Sequence, residues 1–315
     1  MNHRQIIGIS GVTATEFLQG LITNDMNLLA SSSTKKNPFL YSLFLNAKVE
    51  IWKADDIDVW SALPDHPSHL LTEKKSWSEK EVSSDKLLFY AADPRAVPGW
   101  SGRMLLQAGS DPFQIFHPSD QSSMDTEASA DLYTSARYRL GLPEGSRELK
   151  SGDGLPLEAN ADLLGAVSFS KGCYVGQELT TRTHFTGVIR RRMMPVVVAS
   201  PVDASCAVPN APIYRLVATT GKRQGKRPIG WLRGVARRTA VGSHDQQLGI
   251  ALLRLADTAD AVKSGDLLWS RLSTIDSLPD EATEVKHLED GVILRPFVPS
   301  WWPKDIAPDL PSNLQ

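Results

Sequence analysis

The sequence predicts an α+β protein whose C-terminal part is an antiparallel barrel or sandwich. Three observations predict this. From Met193 onward, six short apolar runs (MPVVVAS, PIYRLVAT, PIGWLRGVA, LGIALLRLA, DLLWSRL and VILRPFVP) are separated by turn residues at fairly regular spacing, the pattern of a small barrel or sandwich. Before Met193, helical periodicity alternates with strand-like stretches, which is the mixed α+β pattern. Between the two stands KGCYVGQE, residues 171–178, where a cation, a thiol, an amide and a carboxylate share eight residues. Such a density of chemistry marks a functional segment.

Composition bounds the rest. At 315 residues the chain is long enough for two or three domains. Hydrophobic residues make up 41% and charged residues 22%, as in ordinary globular proteins. The formal net charge of -2 gives no electrostatic reason to expect nucleic acid. No apolar run reaches the ~20 residues of a membrane span. Two cysteines, Cys173 and Cys206, make no disulfide framework, and a reducing compartment is the simplest setting for one functional thiol. The opening MNHRQIIGISG runs straight into a strand-like pattern without an Arg- and Ser-rich leader.

In order along the chain, Ile6, Ile7 and Ile9 suggest a short strand. Thr13 and Glu16 have the spacing of a capping box, in which each side chain satisfies a free amide at a helix start. Phe17 with Leu21, and Leu18 with Ile22, share one helical face. That helix ends near Thr23-Asn24-Asp25, whose short polar side chains suit a cap and turn. Phe39 to Ala47 and Lys48 to Trp60 are strand-like, and His66 to Asp85 is a polar surface loop. Leu87 to Gln107 reads as strand–turn–strand around Asp93-Pro94-Arg95, with Arg95 and Arg103 solvated or paired locally. Asp111 to Ser129 is a loop. Asp131 to Leu140 is a helix with Leu132, Ala136 and Leu140 on one face, stopped by Gly141 and Pro143. Glu158, Asn160 and Asp162 interrupt an otherwise apolar approach to Cys173. Glu158 either caps a helix or pairs with an arginine, or lines a pocket.

The cysteine segment is the focus. Gly172 and Gly176 flank Cys173, so the backbone bends there or approaches something closely. Lys171, two positions upstream, favours the thiolate, the form that attacks carbon or binds metal. The plainer alternative is a buried cysteine at a tight turn. Gln177 to Arg182 leaves this turn as helix or extended chain, and Arg190, Arg191 and Arg192 form a basic run, either a solvated face or an attraction for an acidic partner. Cys206 is an incidental thiol. Domains are expected over 1–130, 131–192 and 193–300, with an extended or frayed tail over 301–315 that carries Pro303, Pro308 and Pro311.

With these residues quoted, a resemblance can be stated. KGCYVGQE, together with FLQGLITND at 17–25 and LPLEAN at 155–160, resembles the signatures of the folate-binding-protein-like iron–sulfur assembly factors. These are relatives of the T protein, the aminomethyltransferase of the glycine cleavage system. The cysteine-bearing motif resembles that of the assembly-factor branch, and the nearest likeness is to its mitochondrial member. The resemblance implies a T-protein-like multi-lobe fold with a central pocket and a C-terminal antiparallel barrel. It implies a mitochondrial matrix location, with a transit peptide absent from this chain. It places Asn24, Asp25 and Glu158 as pocket residues toward tetrahydrofolate. It makes Lys171, Gly172, Cys173, Tyr174, Gly176, Gln177, Glu178 and Arg182 the motif. The family carries a further strand and a helical hairpin where this chain passes from Ala47 to Lys48. A missing segment is therefore expected there, with the two Cα atoms away from the ~3.8 Å of a peptide unit.

Chemistry narrows the function. An iron–sulfur cluster takes four thiolate-type ligands. One candidate thiol cannot hold one alone. Cys173 is thus expected either to contribute a ligand to a bridging cluster shared with a partner or to act as a reactive thiol. The resemblance implies that the partners are A-type iron–sulfur carrier proteins, that the product is a 4Fe–4S cluster, and that the protein alone is a monomer acting as an assembly factor, with enzymatic activity left open. The alternative is a tetrahydrofolate-dependent aminomethyl transferase in which Asp25 touches the pterin. A cysteine hydrolase pairing Cys173 with His184 lacks an orienting acid.

Overall fold

The computed structural model describes residues 14–26, 87–93, 95, 97–98, 102–106, 130–150, 152–199, 210–237, 246–271 and 291–312. The expected strand at Ile6–Ile9, the Thr13 half of the capping box, the 39–60 strands, the Ala47–Lys48 junction, the 66–85 and 111–129 loops, the side chain of Arg103, and Cys206 lie outside the described residues. The chain divides into two compact units, one of residues 2–128 with 161–179 and one of 129–160 with 180–315. The boundaries at 160/161 and 179/180 fall within the stretch 131–192 expected as one domain.

In the first unit, helix α1 spans Ala14–Leu21. Strands β1 (Leu87–Ala92) and β2 (Gly102–Leu106) form an antiparallel hairpin with Tyr90 opposite Met104. The expected strand–turn–strand is therefore present. Arg95 folds back on Asp93 through Nε and Nη2 at 2.8 and 2.7 Å, a buried local pair.

In the second unit, helix α2 (Ala130–Arg139) is followed by the single turn α3 (Gly145–Glu148), by helix α4 (Gln177–Thr186), whose first three residues belong to the first unit, and by strand β3 (Arg191–Val198). The order continues with β4 (Ala211–Leu216), β5 (Arg223–Gln224), β6 (Gly230–Val235) and β7 (Gln247–Arg254), then helix α5 (Leu255–Lys263), β8 (Leu267–Arg271) and β9 (Gly291–Pro296). The strands run in the order β5-β4-β6-β7-β3-β9-β8, and β4 also pairs with β8. That last pairing closes the six longer strands into a ring and leaves the two-residue β5 paired with β4 alone. All six expected strands are in it.

One face of the barrel sheet carries a buried apolar cluster. Tyr138, Met193, Val197, Leu248, Ile250, Leu252 and Phe297 form one buried cluster. Helix α2 reaches it through Tyr138. A Cβ at Gly234 would lie 2.1 Å from the Tyr138 hydroxyl, so only glycine lets that ring sit on β6. The hydroxyl donates to Glu148 Oε1 at 2.9 Å, and Glu148 also takes Arg137 through both carboxylate oxygens at 2.6 and 2.8 Å. Burial beside Glu148 pushes the Tyr138 hydroxyl far above the ordinary tyrosine range.

Two features depart from expectation. The run written as a strand through Ala256 turns helical at Leu255, burying Thr258, Ala259 and Ala261. Residues 301–312 of the tail are docked. Trp302, Ala307 and Leu310 are buried, and Val298 N–H donates to Pro311 O at 2.7 Å. Burial of a large indole outweighs the cost of ordering the turns around it.

Candidate functional site

The cysteine segment is strapped to the C-terminal end of α1. The last carbonyls of a helix have no partner within it. Here the chain from 165 to 175 supplies partners. Val175 N–H donates to Gly20 O at 3.2 Å, and Ser168 N–H donates to Thr23 O at 2.9 Å. Thr23 Oγ1 donates to Ala166 O at 2.6 Å and Asn24 Nδ2 to Gly165 O at 2.7 Å.

Lys171 completes the strap. Its Nζ donates to the carbonyls of Gln19, Ile22 and Asn24 at 2.5, 2.8 and 3.0 Å. All three ammonium donors are used, and the positive charge sits at the negative end of α1. The same Nζ lies 4.9 Å from the Tyr174 ring centroid. Burial lowers the Lys171 pKa, while the Asp25 carboxylate opposes the shift. The sequence reading expects this ammonium to act on the thiol. Its hydrogen bonds are made with α1.

Between these anchors the residues alternate: Lys171 and Tyr174 are buried, while Gly172, Cys173 and Val175 are exposed. The buried-cysteine alternative therefore fails. Gly176 takes a φ of +81°, the left-handed conformation that turns the chain into α4. At Gly172, in contrast, φ is not left-handed and a Cβ would meet open space. Tyr174 is buried with its hydroxyl unpartnered among the described residues, and burial pushes that hydroxyl up to about 12. Gln177 opens α4, its N–H donating to Tyr174 O at 3.2 Å, and Glu178 and Arg182 are exposed on the helix.

Asn24 and Asp25 form the turn after α1. Asn24 is buried, its Oδ1 accepts from Asp25 N–H at 2.9 Å, and Asp25 Oδ1 accepts from Gln19 Nε2 at 2.9 Å. Their geometry is that of the cap and turn read from the sequence.

Glu158 belongs to the second unit, in a separate polar cluster. Arg191 Nε donates to Glu158 Oε1 at 2.7 Å, and the Arg191 guanidinium stacks 5.5 Å from the Trp231 ring. Arg233 projects from the irregular step between Leu232 and Gly234 on β6 and donates to Asp153 Oδ2 at 3.0 Å. Glu158 Oε2, Arg233 Nε and Arg233 Nη1 are buried without hydrogen-bond partners among the described residues. Burial raises the Glu158 carboxyl above its ordinary range even though Arg191 pulls it down. Of the basic run, only Arg190 is exposed. Arg191 is committed to Glu158, and Arg192 is buried with Nη1 on Leu157 O at 3.0 Å. Asn160, named as a polar interruption, is fully buried and donates to Met193 O at 2.7 Å, which anchors β3.

Sequence reasoning missed Gln19, Arg233 and Trp231. Arg233 left one signal, an arginine inside an apolar strand. Gln19 stands inside the FLQGLITND stretch, with its side chain bonded to Asp25 and to the Met26 N–H just downstream, and Trp231 left none, since Arg191 lies far away in sequence. Among the described residues no group of three or more His, Cys, Asp or Glu is arranged to hold a metal ion, and no helix is long and apolar enough to cross a membrane.

Comparison with known proteins adds a family context. Residues 190–304 match the family model described as the CAF17 C-terminal β-barrel domain. The chain is 31% identical to the Phaeosphaeria nodorum protein named iron–sulfur cluster assembly factor IBA57 homolog, mitochondrial, over 95% of this chain and 79% of that protein. It is 28% identical to the Aspergillus clavatus protein of the same name, covering 98% and 82%. The Mus musculus protein named iron–sulfur cluster assembly factor IBA57, mitochondrial, is 34% identical over 82% of this chain and 58% of its own length. The crystal structure of glycine cleavage system aminomethyltransferase T from Bartonella henselae superposes with a TM-score of 0.48 at 13% identity, covering 90% and 80%.

Proposed function

The chain belongs to the IBA57 family of mitochondrial iron–sulfur cluster assembly factors, and from that premise we propose that it matures 4Fe–4S clusters in the mitochondrial matrix by presenting Cys173 to an A-type iron–sulfur carrier protein. The observation that carries this reading is the exposed thiol on a turn anchored at both sides. Clusters take four thiolate-type ligands, and this chain has two cysteines in all. The carrier supplies the remaining ligands, and the cluster is cargo passing between the two proteins. Lys171 is a positioning residue: it fixes the backbone from which Cys173 projects and leaves the sulfur free to reach iron held by another chain.

The test is anaerobic reconstitution with an A-type carrier, comparing wild type with Cys173→Ala by cluster absorption and Mössbauer spectra. Cys173→Ala is expected to abolish the shared cluster and leave the melting temperature of the free protein unchanged. A wild-type cluster yield from the alanine variant would sink the proposal.

A second reading is supported by the Glu158 cluster. A buried unpartnered acceptor near buried unpartnered guanidinium donors fits a ligand edge that offers both a donor and an acceptor. The pterin edge of tetrahydrofolate has that chemistry. Glu158 and Arg233 would hold it, and bound folate would supply one-carbon carrying capacity. Titration with tetrahydrofolate, followed by Trp231 fluorescence, is expected to give saturable binding that Glu158→Gln weakens. Absence of saturation in the wild type would remove this reading and leave the Cys173 reading intact.

A further inference from the structure

The last turn of α4 and the chain after it carry an exposed apolar pair. Phe185 is 65% exposed and Val188 78%. Scattered exposed apolar residues are ordinary on proteins, but this pair stands on fixed backbone. Gly187 N–H donates to Thr183 O at 3.1 Å, closing the helix end, and Leu255 N–H donates to Arg190 O at 3.0 Å, fixing the chain where it enters β3. A Cβ at Gly187 would lie 2.8 Å from the Thr183 backbone, so the chain folds back against its own helix as only glycine permits. His184 packs edge-on against the Phe185 ring at 4.9 Å.

After the exposed Glu178 in the first turn of α4, the charges along the chain as far as Arg190 are of one sign. From Leu179 to Arg190 the sequence LTTRTHFTGVIR contains no acidic residue. Arg182, three positions before Phe185 and therefore on the same helical face, is exposed, as is Arg190. The neighbouring arginines differ, since Arg191 is paired with Glu158 and Arg192 is buried. The two exposed guanidinium groups thus flank an apolar centre with no intervening carboxylate on the same stretch.

We propose that Phe185 and Val188, flanked by Arg182 and Arg190, form the docking surface for the partner protein, and that the partner presents an apolar residue ringed by carboxylates. This rests on the partner-dependent reading above and names the surface that recruits the partner, separately from the sulfur that meets the iron. An apolar anchor with a charged rim is how protein interfaces divide affinity from steering. The ring and the branched side chain lose water when covered, and the arginines accelerate and orient the encounter.

The experiment uses the full chain and an apo A-type carrier, with the dissociation constant measured by isothermal titration at low and moderate salt. Phe185→Ser/Val188→Ser is expected to weaken binding about tenfold or more at either salt concentration. Arg182→Glu/Arg190→Glu is expected to weaken binding most at low salt and to flatten the salt dependence. Thermal melts of each variant against wild type confirm that the fold is intact, as substitution of exposed side chains predicts. A wild-type complex that tolerates the double serine variant overturns this proposal alone. A wild-type chain that forms no complex overturns it together with the partner-dependent reading. Parallel arms test phosphatidylserine vesicles and self-association by light scattering. If either is lost in the double serine variant while carrier binding is retained, the patch has another occupant and the proposal fails.

Discussion

Strand β7 of the barrel, QLGIALLR, buries seven of its eight residues, whereas from Lys171 to Val175 the buried Lys171 and Tyr174 are interspersed with the exposed Gly172, Cys173 and Val175. The first stretch is held by apolar contact with neighbours of the same kind. The second is held by one ammonium on three carbonyls and by a few backbone bonds to the end of α1. The contrast teaches where each kind of force is used. Apolar packing covers what it stabilises, so it cannot present a thiol to solvent. Backbone and ammonium hydrogen bonds hold a turn from one side and leave the other side open for chemistry.

The comparison breaks first, and most visibly, in the barrel. Ile250 is fully buried, opposite Pro195 on β3 and Gly234 on β6. Ile250→Ala removes its transfer energy and leaves a cavity, at a cost of about 3 kcal/mol. Denaturant unfolding is expected to show this loss as a lower midpoint with little change in slope. Hydrogen exchange should rise throughout 191–198 and 247–254, because those strands form one paired sheet.

The cysteine turn should fail differently. Lys171→Met keeps the length and apolar stem of the side chain and removes the donor from the carbonyls of Gln19, Ile22 and Asn24. Leaving buried acceptors without that donor costs about 2 kcal/mol. The expected signature is faster exchange confined to residues 18–26 and 165–176, with barrel amides unchanged. Cluster formation with the carrier should fall even though Cys173 is intact, because the turn that carries the sulfur is no longer fixed. A uniform exchange increase across both units would erase the distinction between a packed scaffold and a hydrogen-bonded turn.

The two regions also differ in how far the sequence revealed them. The barrel's six strands are visible as apolar runs bounded by turns, since their periodicity is local. The sequence also exposed the helix at 130–139 and the chemistry gathered around Cys173. It did not show that Lys171 serves α1, because its acceptors lie 147 to 152 positions away. Nor did it show that Arg192 is buried at the start of β3, where three consecutive arginines read as a solvated run. Its partner, Leu157 O, is 35 positions upstream. Helix α5 was hidden for another reason. LGIALLRLA continues in apolar residues past the end of β7, and only the small buried Thr258, Ala259 and Ala261 show that the period has changed. Local pattern carries the elements, and long-range polar partners carry the site.

The smallest effect sharpens the comparison inside the barrel unit, where the Glu158 cluster uses polar contacts in a largely apolar setting. Burial raises the Glu158 carboxyl above its ordinary range, and Arg191 offsets only part of that shift. A carboxyl raised in the folded state holds its proton at pH values where the unfolded chain has released it. The native state therefore gains from protonation below the unfolded pKa and loses that gain as pH rises through the folded one. Glu158→Gln has no such proton to release, and its amide oxygen still accepts from Arg191 Nε. Melting temperatures of the two proteins, measured from about pH 4 to about pH 7, should show wild type losing stability relative to the glutamine variant across that interval. The opposite slope would mean that Arg191 and Arg233 together hold the carboxylate ionised. The polar cluster would then act as a stabilising ion pair, and its unpartnered atoms would no longer favour a ligand.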